Sequence, residues 1–566
     1  MLKKIITTLF LLTLSAVPAN MSQAVPSNEG KLVKVGISNQ SFKDYYFNNI
    51  SVSATDSFRL TDKVTNTVLS DFGADENIKV VIKNNLFKIF VDNTEIASNI
   101  TGPVVVSSEN GYVTVTNLKR AGKPAYYRGT FEITKVPNKN DLFNVINVLD
   151  LQSYLRGVVP NEMPVRFGPE ALKAQAILAR NYVLKPRERN YHNFDVCDSV
   201  ACQVYYGANT EKELSDAAIA ETENLVAMHD GELILALYSS TAGGYTESYE
   251  NAFSTDFGNG NKMFPGLPKP YLKGVPDNPK TPALTSEADV KKFYTSNVET
   301  FDNESPYFRW TKEWEVKELE DVLKKTLKTQ SATGFVKPKF DNPDDFGNLK
   351  DIKVIKRGVS GKAMSVNIIT DKGVFNVQKE LQIRRTFQKD NIGLPSANVI
   401  FEIKEVKPDP SDKLSGSKPV KKVIAQGGGF GHGVGMSQWG AGAMNKKGYS
   451  YGEIIQHYYK NTAICTYPIE LSSKNGNDTA VQTFYTKNKK ATLVVDNKFQ
   501  FTKMTVVING QELRMEIIPT LFKPERIDLT PYIKEGENKI TYLLPFTESH
   551  KKPVRLYVEI KEAKNE

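Results

Sequence analysis

Residues 157–182 read GVVPNEMPVRFGPEALKAQAILARNY, and this stretch decides how the chain is organised. Pro169 fits the first turn of a helix, and behind it Leu172, Ala176, Ala179 and Tyr182 or Val183 recur on one helical face. The spacing predicts a helix over about 169–183. Ahead of it, Glu162 stands between Pro160 and Pro164 on what reads as a stiff irregular segment. Each proline fixes its own φ and restricts the residue before it, so this carboxylate has little backbone freedom. Rigid presentation is what acid–base chemistry needs. An acidic residue ahead of a helix is also explained by the positive end of the helix dipole, which favours Glu170 as well.

Upstream, 31–150 holds short alternating runs such as KLVKVGIS, IKVVIKNNLFKIFV and GYVTVTNL, parted by Asn, Asp and Gly. These read as strands and hairpins, so the segment is a β-rich module. From 151 to 470 helical and strand patterns mix: ELEDVLKKTL reads as a helix, DIKVIKRGVSGKAMSVNIIT as a hairpin. The polar stretch 406–422, VKPDPSDKLSGSKPVKK, reads as a loop or linker. Beyond the boundary SSKNGNDTA, 481–566 reads as a separate small β-sandwich. The expected fold class is α+β.

The first 24 residues carry a basic head, an apolar run from Ile5 to Val17 and small residues at Ala19 and Ala24, the pattern of a secretory signal peptide. That run is shorter than the ~20 residues that span a bilayer comfortably. The expectation is an exported chain, in periplasm, cell wall or medium, touching a membrane only if the signal segment is retained as an anchor. A net charge of +9 spread over 566 residues, without basic tracts, speaks against a nucleic-acid partner.

Three further stretches carry chemistry. In HNFDVCDSVACQVY, His192, Cys197 and Cys202 suit a tetrahedral zinc ion, while a Cys197–Cys202 disulfide suits an exported chain equally well. In LILALYSSTAGGYTES, Tyr238, Ser239 and Ser240 end an apolar run before a Gly turn, as at a carbohydrate-facing rim or a plain hairpin. In GGGFGHGVGMSQWGAGAM, 427–444, neither G-x-G-x-x-G nor G-x-S-x-G is satisfied, which argues against nucleotide binding and a hydrolase elbow. The glycines let the backbone pass close to something while displaying His432, Ser437, Gln438 and Trp439, or serve tight packing between layers.

Taken in order, YLRGVVPNEMP with EALKAQAILARNY, DVCDSVACQVY, LYSSTAGGYTES, SPYFRW, IRRTF with LPSANVIFEI, and GGGFGHGVGMSQWGAGAM with GYSYGEIIQHYYKNT resemble the SpoIID/LytB family over roughly 31–470. The resemblance implies a β-rich core with a few helices around a substrate cleft, peptidoglycan glycan strands as substrate, and lytic transglycosylase chemistry on the MurNAc-β-1,4-GlcNAc bond, preferring strands stripped of stem peptides by a partner amidase. It implies Glu162 as catalytic acid and base, and Tyr238, Ser437 and Gln438 as positioning groups. Glu170 and Glu247 stand as alternative second carboxylates. Relatives with DICDTTHCQVY-like segments resemble zinc binders; here Ala201 takes the place of the histidine, so a structural zinc would draw on His192 with Cys197 and Cys202. Trp439 stands where Tyr is common, keeping a sugar-stacking face. The last segment is similar to galactose-binding-like sandwiches. A second function stays open, that of a non-catalytic glycan-binding activator of an N-acetylmuramoyl-L-alanine amidase.

Overall fold

The computed structural model describes residues 25–26 and 31–561 except 186–190, 259, 407–419, 473–478, 488–489, 498–501, 518–522 and 545–552. The expected signal segment lies outside these. No helix among the described residues is long and apolar enough to cross a membrane.

The alternating runs of the N-terminal region form two antiparallel-rich sheets of six and seven strands. Their hairpins turn where the sequence permits positive φ. The strands Ile78–Lys83 and Leu86–Val91 pair across Asn84 and Asn85, both left-handed at φ 54 and 59. Inward residues such as Val33, Val35, Phe131 and Ile133 are fully buried, following the period-2 pattern.

Strand Phe143–Asp150 leads straight into three helices: α1 (Leu151–Arg156), α2 (Val159–Glu162) and α3 (Pro169–Leu184). Asp150 caps α1, accepting a hydrogen bond from the Ser153 amide. Helix α3 starts with Pro169 as expected, but it is not a one-faced surface helix. It is covered on all sides, and its polar residues are buried with partners. Arg180 donates to the Leu225 carbonyl at 2.8 Å, and Asn181 exchanges hydrogen bonds with the Ala227 backbone at 2.7 and 2.8 Å. These bonds tie α3 to strand Leu225–His229.

That strand belongs to a sheet that runs Glu232–Leu233, Leu225–His229, Ala463–Thr466, Val554–Ile560, Ala491–Asp496, Glu525–Asp528. The C-terminal strands therefore extend the sheet behind α3, and their side chains join the same continuous core as the N-terminal sheets. The segment expected to stand apart as a sandwich shares this sheet with the region before it. A second sheet of C-terminal strands holds Thr479–Thr486, Gly536–Leu543, Thr502–Ile508 and Gln511–Ile517.

A distinct core is built from 310–425, where helix α4 (Val316–Ser331) packs Leu319, Leu323 and Leu327 against two small sheets. Strands Val399–Val406 and Val420–Gly427 are partners in one of them, with Val406 opposite Val420. Of the stretch 406–422 expected as a loop or linker, Val406 and 420–422 lie on these paired strands, and residues 407–419 lie outside the described ones. Strand Val420–Gly427 delivers the glycine-rich loop back to the main core, where helices α5 (Gln438–Lys446) and α6 (Tyr451–Tyr458) pack against α3.

Candidate active site

Glu162 is the last residue of α2, a single helical turn, so its setting is regular where the sequence suggested an irregular one. Pro160 occupies the first turn, where its missing N–H leaves no bond unmade. Val159 and Met163, fully buried on either side, contribute roughly 1.5–3 kcal/mol each and anchor the turn. Side chain and backbone together leave the carboxyl one place to go.

That place is partly buried. One carboxyl oxygen accepts the Val204 amide at 2.6 Å, and Gln438 donates to the same carboxyl. Burial pushes its pKa up to about 7, against the pull of these two hydrogen bonds. No other carboxylate and no cation contributes to that shift. The charge of Glu162 is felt by the hydroxyls of Tyr154, Tyr206 and Tyr238, all held above the usual phenol range chiefly by burial. Gln203, fully buried, accepts from Tyr154 at 3.0 Å and donates to the Tyr238 hydroxyl at 2.8 Å. Tyr238 is thereby fixed as an acceptor on one side, with its own proton left to donate.

The stretch around Tyr238 and the glycine-rich stretch meet. Tyr238–Ser239 pairs in parallel with Met436–Ser437, and the Trp439 amide donates to the Ser240 carbonyl at 3.0 Å. Glycine is required at the join: Gly435 has φ 73, and a Cβ there would lie 1.9 Å from the Leu237 carbonyl oxygen. Asp302 clasps the pair from below. Its carboxylate accepts from Thr241 Oγ1 at 2.5 Å, the Gly243 amide at 2.8 Å and Ser437 Oγ at 3.3 Å. Asp277 is buried beside it, and burial and mutual repulsion push Asp302 up to about 6, with burial raising Asp277 to about 6 as well.

The residues expected at the site divide. Glu162, Tyr238 and Gln438 converge. Ser437 is fully buried, caps α5 through the Gly440 amide and belongs to the Asp302 clasp. Ser239 is buried, and Ser240 contributes its carbonyl to the loop pairing. His432 takes the Val434 amide on Nδ1 at 3.0 Å and packs edge-on against Phe253. Trp439 is partly buried, its ring 5.0 Å from that of Phe167. Glu170 is held by Lys173, Lys487 and the Tyr451 amide. Glu247 is fully buried under donors from Ser248, Asn251, Val359 and Ser360, and neither carboxylate contributes to the shift at Glu162.

The zinc set does not assemble. Cys197 and Cys202 are joined as a disulfide, His192 is exposed, and no group of three His, Cys, Asp or Glu side chains among the described residues could hold a metal ion. The residues as placed do not fit zinc. Sequence reasoning missed Gln203, Tyr206, Val204, Asp277 and Asp302; the first three lie in QVYY, a segment read for its cysteines alone.

Residues 139–229, which hold Glu162, α1–α3 and the disulfide, match the family described as Stage II sporulation protein, SpoIID. The chain is 28% identical over 333 residues to the stage II sporulation protein D of Bacillus subtilis, covering 56% of this chain and 74% of that one. The chain carries a SpoIID-family segment at residues 139–229. Two other relatives widen the picture. An uncharacterized protein of Brachyspira hyodysenteriae is 29% identical over 330 residues, 58% of this chain and 70% of that one. The amidase enhancer of Bacillus subtilis is 28% identical over 321 residues, covering 55% of this chain, which spans only 40% of the enhancer's length. Residues 259–435, which enclose the second core, match a domain of unknown function.

Proposed function

We propose that the chain is an exported lytic transglycosylase that cleaves the MurNAc-β-1,4-GlcNAc bond of peptidoglycan glycan strands, with Glu162 as the sole acid and base. The observation that supports this reading is a rigidly mounted, half-buried carboxyl, raised to about 7 by burial with no contribution from a second carboxylate among the described residues.

Most glycosidases use two carboxylates. One suffices when the nucleophile is the C6 hydroxyl of the same MurNAc. Glu162, protonated near neutral pH, gives its proton to the glycosidic oxygen as the C1–O4 bond breaks. The C6 oxygen then bonds to C1, and its proton passes to the Glu162 carboxylate. The products are a GlcNAc 4-hydroxyl and a 1,6-anhydroMurNAc end; no water is consumed, and the acid is restored. A well-oriented intramolecular attack contributes roughly 7–11 kcal/mol, so the groups that aim the sugar matter as much as the acid. Tyr238, with its hydroxyl proton to give, and Gln438, which touches the carboxyl, are the positioning groups.

The relative named as an amidase enhancer supports a second reading, a glycan-binding activator of a wall amidase. Amidase-treated sacculi incubated with wild type and with Glu162→Gln separate the two. Mass spectrometry should find 1,6-anhydro ends from wild type only; none from wild type rejects the enzyme.

A further inference from the structure

Close in sequence to Glu162 and Gln438 lies a concavity of about 100 Å³, lined chiefly by Arg166, Phe167, Phe301, Glu304, Trp439 and Lys446. Both of its walls continue segments that carry the acid. Arg166 and Phe167 form the turn directly after Met163–Pro164, and Trp439 follows Gln438. A volume of this size admits a substituent and not a whole saccharide.

Its charge is unbalanced. Lys446 and Glu304 neutralise one another at 2.6 Å. Arg166 is exposed and has no acidic partner among the described residues; its guanidinium carbon lies 5.3 Å from the Phe167 ring centre and 5.6 Å from that of Trp439. Contact with the two rings holds the guanidinium in place while its N–H fork stays available. A planar fork over an aromatic floor matches a carboxylate attached to an apolar ring face.

On the reading of the substrate as wall glycan, we propose that this concavity is a subsite for the free lactyl carboxylate of a MurNAc residue, with Arg166 as the specificity-determining side chain. Strands stripped of stem peptides bear that carboxylate. On unprocessed strands the same carbon is a neutral amide, which leaves Arg166 unmatched and puts a peptide where the pocket has no room. Arg166 thus reads whether a strand has been stripped.

The full chain carrying Glu162→Gln, titrated calorimetrically with soluble strands, tests this. Three forms are compared: stripped strands, the same strands with the lactyl carboxyls reduced to alcohols, and strands with stem peptides intact. Stripped strands should bind about tenfold tighter than reduced ones, as one charge-assisted contact implies. The ratio should fall to about one when Arg166→Gln is added and recover in part with Arg166→Lys, while binding of reduced strands stays unchanged and reports an intact fold. Equal or absent binding of stripped and reduced strands overturns the inference, as does a difference that survives Arg166→Gln. Arg166-dependent preference for intact strands overturns it too, by moving the recognised carboxylate to the peptide. The 1,6-anhydro assay stands apart: ends formed by wild type together with equal binding remove only this subsite, whereas unequal binding without such ends removes only the transglycosylase.

Discussion

Replacing Glu162 by glutamine should stabilise the protein at alkaline pH and do nothing at acid pH. A carboxyl raised from 4.5 to about 7 on folding favours the protonated form in the native state. Between those two values the folded chain holds more protons than the unfolded one, so stability falls as pH rises through the window and is level on either side. The span of about 2.5 units corresponds to about 3 kcal/mol at 1.36 kcal/mol per unit. Glutamine is isosteric, keeps an acceptor for the Val204 amide and cannot ionise, so it escapes this penalty. Thermal melts of the two proteins from pH 4 to pH 8.5 should give equal midpoints below about pH 4.5, then a gap that widens to a few degrees in favour of Glu162→Gln above pH 7. A constant gap across the range, or a wild type that gains on the variant with rising pH, would refute the claim that burial governs this carboxyl.

Gln438→Ala removes a donor that favours the ionised carboxyl. The alkaline limb of the rate profile for 1,6-anhydro end formation, set by loss of the Glu162 proton, should therefore move to higher pH while the maximum rate drops; an unmoved limb would detach Gln438 from the acid. Gly435→Ala forces a left-handed residue worth about 1–2 kcal/mol and drives a methyl into the Leu237 carbonyl, so the melting temperature and the activity should fall together. Unchanged activity would show that the pairing of the two loops is dispensable. Serine at Cys197 and Cys202 should cost about 2 kcal/mol, as a short closed loop implies, and chelator should leave the wild-type melting temperature unaltered. A chelator-induced drop would point to a metal.

The elements most legible in the sequence were those whose rules are local. Asn84–Asn85 and Asn509–Gly510 turn their hairpins because these residues tolerate positive φ. Pro169 starts α3 for the reason expected. The burial of α3 on every side was not legible, because periodicity sees only the apolar residues; Lys173, Arg180 and Asn181 look solvent-facing until the partners that satisfy them arrive from distant segments. The firm hold on the Glu162 carboxyl was readable from its prolines, and the display of Gln438 from its glycine-rich setting. Gln203 and Asp302 were not, since their significance lies in contacts with residues far away in the chain and leaves no spacing to detect. Ser437 shows a true ambiguity: a hydroxyl before a helix serves as a cap as readily as a ligand, and here it caps.

The sheet behind α3 has a temporal meaning. Leu225 finds its neighbour in Thr466, and Ile464 finds its own in Ile560. A chain emerging residue by residue exposes the helix that carries Arg180 and Asn181 long before the outer strands of its support exist. Pairings so distant form slowly. The setting of Glu162 is therefore a late product of folding, and a polypeptide cut short before 554 would present this carboxyl on an unfinished scaffold.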